Sequence, residues 1–497
     1  MKPANLLFLM SDNHARTALG TASRGLVKTP NLDRLAARGA RFSNAYTASP
    51  ICCPARAAIA TGRYPHETGY WDNAITYDGQ VPTWHHRLRD AGHDVAAIGK
   101  LHYRNTDDDN GFSEEIVPMH ILGGKGGVSM LLRWNGEEPT NTGQWELYAD
   151  KSGVGETSYQ KYDTDITQHA VEWLEKRATS GNDKPWALMV SYVSAHPPFS
   201  VPQRFLDLYR DADLPLPPMH GSGERPEHAA IRHLRENFAY GDLDDPELLR
   251  RITVAYYALC SHLDEQIGMV LSTLERLGLA DDTRVIYTSD HGEALGAHGL
   301  LGKFQLYEPS AGVPLLMAGP GIPSGRVIDE PVSHIDLYPT VLESFGVTHT
   351  GPQHPAHACS LWPILGPILD NAPRPEPVFA EYHAAGSRAG MFLLRRGNEK
   401  LVYHVGAPPQ FFDLEHDPDE TNDLAMTPAG RERVAMLERE LRKICNPEEI
   451  DRRAKADQKA KAEFWGGNDA IRREGLLVYT PTPGTTAEIA RTDSTSN

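Results

Sequence analysis

Four apolar runs in this 497-residue chain end in residues that can bind ions or move protons. NLLFLM (5–10) leads into Asp12 and Asn13, AAIGK runs into Lys100 and His102, LMVSYVSAHPPF presents His196, and VIYTSDHG presents Asp290 and His291. Lys303 follows in GLLGKFQ. Taken singly, an aspartate after a strand caps the next helix, and a loop histidine bonds to its neighbours. Taken together, Asp12, Asn13, Asp290 and His291 offer oxygen donors and one imidazole, a set that suits Ca²⁺, Mg²⁺ or Mn²⁺. Lys100, Lys303 and Arg56 supply the local positive charge that an anionic substrate requires. SPICCPARAAIATGRYPHETG (49–69) adds Cys52 and Cys53 side by side in a chain with only five cysteines. That pair admits three readings: a buried apolar corner, half of a metal site, or a cysteine that does not stay a cysteine.

These residues converge only if the runs that precede them share one sheet, because ligands of open parallel sheets gather beyond the carboxyl ends of the strands. The strand-like runs are 5–10, 93–100, 186–193, 284–290 and 313–319. Helical patterns separate several of them, among them TPNLDRLAARG, TDITQHAVEWLEKRA and ITVAYYALCSHLDEQIGMVLSTLERLG. In the first, Thr29 is placed to cap, Pro30 to start and Gly39 to stop the helix. The alternation predicts an α/β fold: a large mixed, mostly parallel sheet sandwiched by helices. Residues 103–160 and 197–245 read as long loops. Near residue 375 the texture changes to short strands and turns and then an amphipathic helix, a smaller C-terminal α+β subdomain over 375–445. The expected organisation is a catalytic domain over 1–374, this subdomain, and a charged, irregular C-terminal segment over 446–497 that is either disordered and solvated or an arm that embraces another subunit.

A formal charge of −17 excludes non-specific nucleic-acid binding. No apolar run is long enough for a membrane span or a secretory leader. The odd cysteine count without repeating spacing argues against a disulfide framework. A reduced, cytoplasmic protein is expected.

The spacing Cys52-x-Pro54-x-Arg56, with Ala-Thr-Gly at 60–62, is that with which type I sulfatases direct oxidation of the cysteine to Cα-formylglycine. The chain resembles the sulfatase branch of the alkaline-phosphatase superfamily, closest to its choline-sulfatase and phosphonate monoester hydrolase group. TPNLDRLAARGARFSNAYTASPICCPARA, GKLH, SAHPPF, SDHGEALGAHGLLGK and HIDLYPTVLE carry the likeness. It implies an alkaline-phosphatase-like fold and hydrolysis of a small anionic sulfate ester, with a formylglycine-generating enzyme as a partner in maturation. It also implies a homodimer or homotetramer.

By the same resemblance, Asp12, Asn13, Asp290 and His291 bind one divalent metal ion together with the modified Cys52. Arg56 holds the diol of the hydrated aldehyde, Asn73, Lys100 and Lys303 bind the sulfuryl oxygens, His102 takes a proton from the diol, and His196 protonates the leaving oxygen. Ser11 stands where many sulfatases have a second aspartate, and His291 where many have asparagine. Both departures leave the ion between Ca²⁺ and Mn²⁺. Choline-specific members cage the quaternary ammonium with aromatic and acidic groups; only Trp134 and Glu381 stand out for that purpose here. The expectation is therefore an aryl- or alkyl-sulfatase, with phosphonate monoester or phosphodiester hydrolysis and choline-sulfate hydrolysis as the alternatives.

Overall fold

The computed structural model describes residues 2–133, 144–182, 184–348, 355–366, 374 and 377–490. Its main sheet is built from β1 (Asn5–Ser11), β2 (Gly39–Tyr46), β3 (Asp94–Lys100), β4 (Glu114–Met119), β5 (Trp186–Ser191), β6 (Thr283–Ser289), β7 (Gly312–Ala318) and β8 (Arg326–Ile328). They lie in the order β8-β2-β7-β6-β1-β5-β3-β4, with Val332–Ser333 added beside β2. β1 is central, and its alternate residues serve two cores. Leu7 and Leu9 pack with Ile166, Leu263 and Ile267 on one face. Leu6, Phe8 and Met10 pack with Ala57, Ile59, Trp84 and Val341 on the other. Cover on both faces is why β1 reads as a continuous apolar run rather than an alternating one.

All pairings in this sheet are parallel except those of β7, which runs antiparallel to both β2 and β6. The segment between β6 and β7 has no crossover helix, so the chain re-enters from the edge it had just left. That segment therefore holds Asp290, His291 and Lys303 at one edge. Helices α1 (Pro30–Arg38), α2 (Cys52–Thr61), α3 (Ser158–Thr179) and α4 (Pro246–Arg276) cover the faces. Thr29 precedes α1 as expected but makes no side-chain cap; its hydroxyl accepts from the Gly20 amide instead.

A second, antiparallel sheet follows, with strands β9 (Val378–Tyr382), β10 (Met391–Arg396), β11 (Glu399–His404) and β12 (Gln410–Asp413) in sequence order. One of its faces meets Leu437 and Leu441 of helix α5 (Pro428–Ile444), together with Ala48, Ala58 and Trp71. The other meets Tyr46, Ile51 and Ala311. The second sheet thus docks on the segment that carries Cys52.

Two expectations are corrected. The region 103–160 is not all loop, because β4 adds an edge strand. Two glutamates and Pro118 hide it in the sequence, and a proline is tolerated there because an edge strand has one unpaired side. Within the described residues 446–490 the tail is not irregular. Helix α6 (Pro447–Phe464) starts under the Asn446 cap, Asn468–Glu474 forms a further helix, and Leu476–Leu477 pairs with Ile489–Ala490. α6 buries Ile450, Ala454 and Ala462, a mostly alanine stripe too weakly apolar to stand out among the charges of DRRAKADQKAKAEF.

Candidate active site

The structure brings together every residue singled out above as a candidate ligand or catalyst. Asp12 and Asn13 follow β1, Lys100 ends β3, His196 lies five residues beyond β5, and Asp290 and His291 follow β6. Cys52 opens α2, six residues after β2 returns to the same edge.

At the centre, ligand atoms of Asp12, Cys52, Asp290 and His291 all lie within 4.8 Å of one another and are buried. The Gly292 carbonyl, 3.1 Å from His291 Nδ1, fixes the ring proton there. Nε2 is then left as a lone pair 3.3 Å from Cys52 Sγ and 3.5 Å from Asp290 Oδ1. The Asn13 amide NH donates to Asp290 Oδ1 at 3.1 Å, and its side-chain Nδ2 donates to Glu293 Oε2 at 2.7 Å. Asn13 Oδ1 is buried without a partner. A buried acceptor left open beside two carboxylates and an imidazole lone pair is what a hard divalent cation would satisfy. The donor set fits such an ion.

Arg56, expected to hold the diol, directs its hydrogen bonds elsewhere. Nε donates to Asp290 Oδ2 at 2.9 Å, Nη2 to Asp12 Oδ2 at 3.2 Å, and Nη1 to the Lys100 carbonyl and to Ser191 Oγ. Its planar fork sets the orientation of both carboxylates. Lys100 Nζ lies 2.6 Å from Asp12 Oδ2, and Lys303 Nζ lies 3.0 Å from Cys52 Sγ. Burial pushes Asp12 up, but Lys100 and Lys303 prevail and hold it well below the usual carboxylate range. Burial, with the charge of Asp12, pushes Asp290 up to about 6. Burial and Asp12 also raise the Cys52 thiol, so as a plain cysteine it stays protonated and is a poor nucleophile.

Cys52, Asn73, Lys100, His102, His196 and Lys303 all face one pocket. Neither ring nitrogen of buried His102 has a partner, while the Pro197 carbonyl lies 2.7 Å from His196 Nδ1. Burial, reinforced by nearby lysines, lowers both imidazoles well below their ordinary range. Asn73 Oδ1 accepts from the Cys53 amide at 3.0 Å. It thereby satisfies a first-turn NH of α2, whose N-cap position, Ile51, has no side-chain oxygen to offer.

Several contributors escaped the sequence reading. Glu293 orients Asn13, and lay within reach as a carboxylate three residues past Asp290. Asp163 accepts from the amides of Val193 and Ser194 at 2.8 and 3.0 Å and shapes the bend before His196. Tyr159 and the strap residues Val478 and Tyr479 wall the pocket, and no periodicity or motif marks them. Glu381 does not line the pocket; His66 Nδ1 and His383 Nε2 occupy its two oxygens at 2.9 and 2.8 Å. Trp134 lies outside the described residues.

The profile of the sulfatase family matches residues 4–347. This chain is a member of the sulfatase family. Residues 296–446 also match the profile of the N-sulphoglucosamine sulphohydrolase C-terminal region. The sulfatase is 35% identical over 437 residues to choline-sulfatase of Rhizobium meliloti (strain 1021), covering 86% of this chain and 83% of that one. It is 31% identical over 482 residues to arylsulfatase K of Bos taurus, covering 93% and 84%. Among solved structures, phosphonate monoester hydrolase of Agrobacterium radiobacter superposes with a TM-score of 0.69 at 22% identity, covering 88% of this chain and 95% of that one. A protein solved in complex with its substrate D-glucosamine-2-N,6-O-disulfate gives 0.72 at 23%, covering 93% and 99%. The fold is that of a sulfatase, with its separate C-terminal antiparallel sheet, and the sulfatase is a sulfuric ester hydrolase.

Proposed function

We propose that this sulfatase cleaves sulfate monoesters of aryl or alkyl alcohols that carry no cationic group, that Cys52 acts after oxidation to Cα-formylglycine, and that one divalent cation, Ca²⁺ or Mn²⁺, sits beside it. The observation that carries the reading is the place of Cys52. It is buried among Asp12, Asp290 and His291, Lys303 lies against its sulfur, and its thiol is driven towards the unreactive protonated form.

When present, the cation and the hydrated aldehyde supply an acidified hydroxyl as nucleophile and a second hydroxyl that lets sulfate leave by elimination. The remaining work falls to the side chains. Lys100 and Lys303 neutralise the sulfuryl oxygens, and Asn73 Nδ2, with its oxygen tied to the Cys53 amide, is free to donate to them. Neutral His102 has an open ring nitrogen to receive a proton. His196, with Nδ1 on a carbonyl, presents Nε2 to the departing oxygen, and the charge of the bound ester favours its protonated form. No carboxylate is among the described residues lining the pocket, and Ile121, Met130, Tyr159, Phe304 and Tyr479 give it an apolar upper wall. The missing acid, not the aromatic rings, which a quaternary ammonium would also accept, supports a leaving group without a cationic charge over choline.

Turnover of p-nitrophenyl sulfate, choline sulfate and a phosphonate monoester tests the ranking; preference for either of the last two overturns it. Mass spectrometry of the peptide holding Cys52 tests the modification, which makes the residue about 18 Da lighter. Five free cysteines among the described residues fit a reducing cytoplasm, where a formylglycine-generating enzyme would act on the chain, and a dimer or tetramer in solution scattering would support the proposed oligomer.

A further inference from the structure

Against an overall charge of −17, one groove of about 380 Å³ away from the catalytic pocket is lined by Arg133, Arg388, Lys455, Lys459 and Arg472, with no carboxylate among its described lining residues. It lies between α6, the helix Asn468–Glu474 and the short turn Val128–Leu131. That turn is a partition: Gly127 and Met130 face the catalytic pocket, and Leu131 and Leu132 face the groove.

Arg133 is the element that a mere patch of surface cations would lack. Its side chain is only 9% exposed. Nε donates to Gln458 Oε1 at 2.9 Å and Nη1 to Asp451 Oδ1 at 3.1 Å, but Nη2 has no partner. Asp451 also binds Lys455 at 2.6 Å, so one buried carboxylate serves two cations. Lys459 meets Glu463 only at 3.9 Å, a long and exposed pair that offsets little of its charge. A buried guanidinium edge without a partner, with lysine ammonium groups beside it and no acid among the described lining residues, is built to receive an oxyanion.

We propose that this groove is a second anion site that takes a sulfate group. The group has two possible sources with the same chemistry: free sulfate, which the active site releases, or a second sulfate on the ester being hydrolysed. The identity of the anion rests on the sulfatase reading; the existence of the site does not.

Selenate, which matches sulfate in shape and charge and is visible by anomalous scattering, provides the probe. In crystals of the full chain a selenate peak is expected in the groove beside Arg133, Lys455 and Lys459, and titration of sulfate should show a site additional to the catalytic one. The variant Lys459→Glu/Arg472→Glu changes exposed positions only. It is expected to lose the groove peak and weaken that binding by about tenfold or more, as loss of charge-assisted hydrogen bonds implies, while hydrolysing a monosulfate ester as before. That result identifies free sulfate as the occupant. If selenate does not bind there, but the variant raises KM about tenfold for a disulfated saccharide and not for a monosulfate ester, the occupant is the substrate's own second group. Absence of both effects overturns the proposal. Failure of the catalytic reading would show separately, as no turnover of either ester with groove binding intact.

Discussion

Two places in the molecule bury the same ingredients and put them to different use. At the catalytic centre, Asp12 and Asp290 sit among Arg56, Lys100 and Lys303. Beneath the second sheet, Glu308 and Glu420 sit among Arg16, Arg395 and Lys400. In both clusters neighbouring charges split a carboxylate pair. Burial opposes ionisation of Glu308, yet Lys400 and Arg16 hold it well below its ordinary range, while burial and Glu308 push Glu420 up to about 7. Asp12 and Asp290 divide in the same sense. Closure is the difference. Each oxygen of Glu308 and Glu420 meets Arg16, Tyr46, Lys400 or the Glu308 amide, and Arg16 Nη1, which has no partner, does not line the catalytic pocket. Around Asp12, by contrast, Asn13 Oδ1 and both nitrogens of His102 are open. Buried charge alone therefore does not mark a site; buried charge beside unsatisfied polar atoms that face a pocket does.

The largest expected effect breaks the open cluster without touching the closed one. Cys52→Ala should lower kcat/KM by on the order of 10⁴-fold or more with an unchanged melting temperature; full turnover would remove the basis of the proposed chemistry. The reciprocal change, Lys400→Met, strips the shared cation from two buried carboxylates. It should cost about 3–5 kcal/mol of stability, read by denaturant unfolding, with kcat/KM per folded molecule unaltered. Lys100→Met should do the reverse, losing activity by about 10²–10³-fold at little cost in stability. Equal stability losses in these two lysine variants would erase the distinction between the clusters.

A divalent cation should act on one cluster only. Binding to the native state at 100 times its dissociation constant adds about 2.7 kcal/mol, and Asp290→Asn should abolish that gain. In metal-free protein Asp290 also has its own pH signature. Its folded pKa of about 6 lies above the ordinary 3.8, so between these values the native state holds more protons than the unfolded one, and this group's contribution falls as pH rises. His298, beside the closed cluster, and His404, at the end of the strand that carries Lys400, are lowered by burial to about 4 and about 3. The unfolded state then holds more protons below pH 6.5, and each should remove about 1.4 kcal/mol per unit as pH drops through that window. Urea unfolding at stepped pH should show the His298→Asn variant with the shallower acid slope.

Much of the open cluster was legible in the sequence, because its residues close strands and an acid, a base or a lysine at a strand end is visible in one dimension. Strands such as 5–11 and 283–289 were legible for a related reason: burial on both faces leaves an unbroken apolar run. The closed cluster was not legible at all. Arg16, Glu308 and Lys400 are far apart in sequence and lie in no motif, and only the docking of the second sheet brings them together. The strap residues Val478 and Tyr479 were hidden likewise, since a short ribbon that packs on distant side chains carries no period of its own.

The smallest predicted effect tests a thread between α6 and the open cluster. Gln458 Nε2 donates to Asp72 Oδ2 at 2.8 Å, and Asp72 Oδ1 accepts from the amides of Ala74 and Ile75 at 2.8 and 2.9 Å. This closes the turn that presents Asn73 to the pocket. Gln458→Leu removes the outer support but leaves the turn's own hydrogen bonds, so kcat/KM should fall by only about threefold to tenfold, the worth of one hydrogen bond. Loosening that acts through Asn73 must vanish once Asn73 is gone. In a double-mutant cycle with Asn73→Ala, the Gln458→Leu change should therefore cost almost nothing further in kcat/KM, although its effect on stability persists. Fully additive losses in activity would show that Gln458 merely holds α6 in place and that Asn73 is positioned by the turn alone.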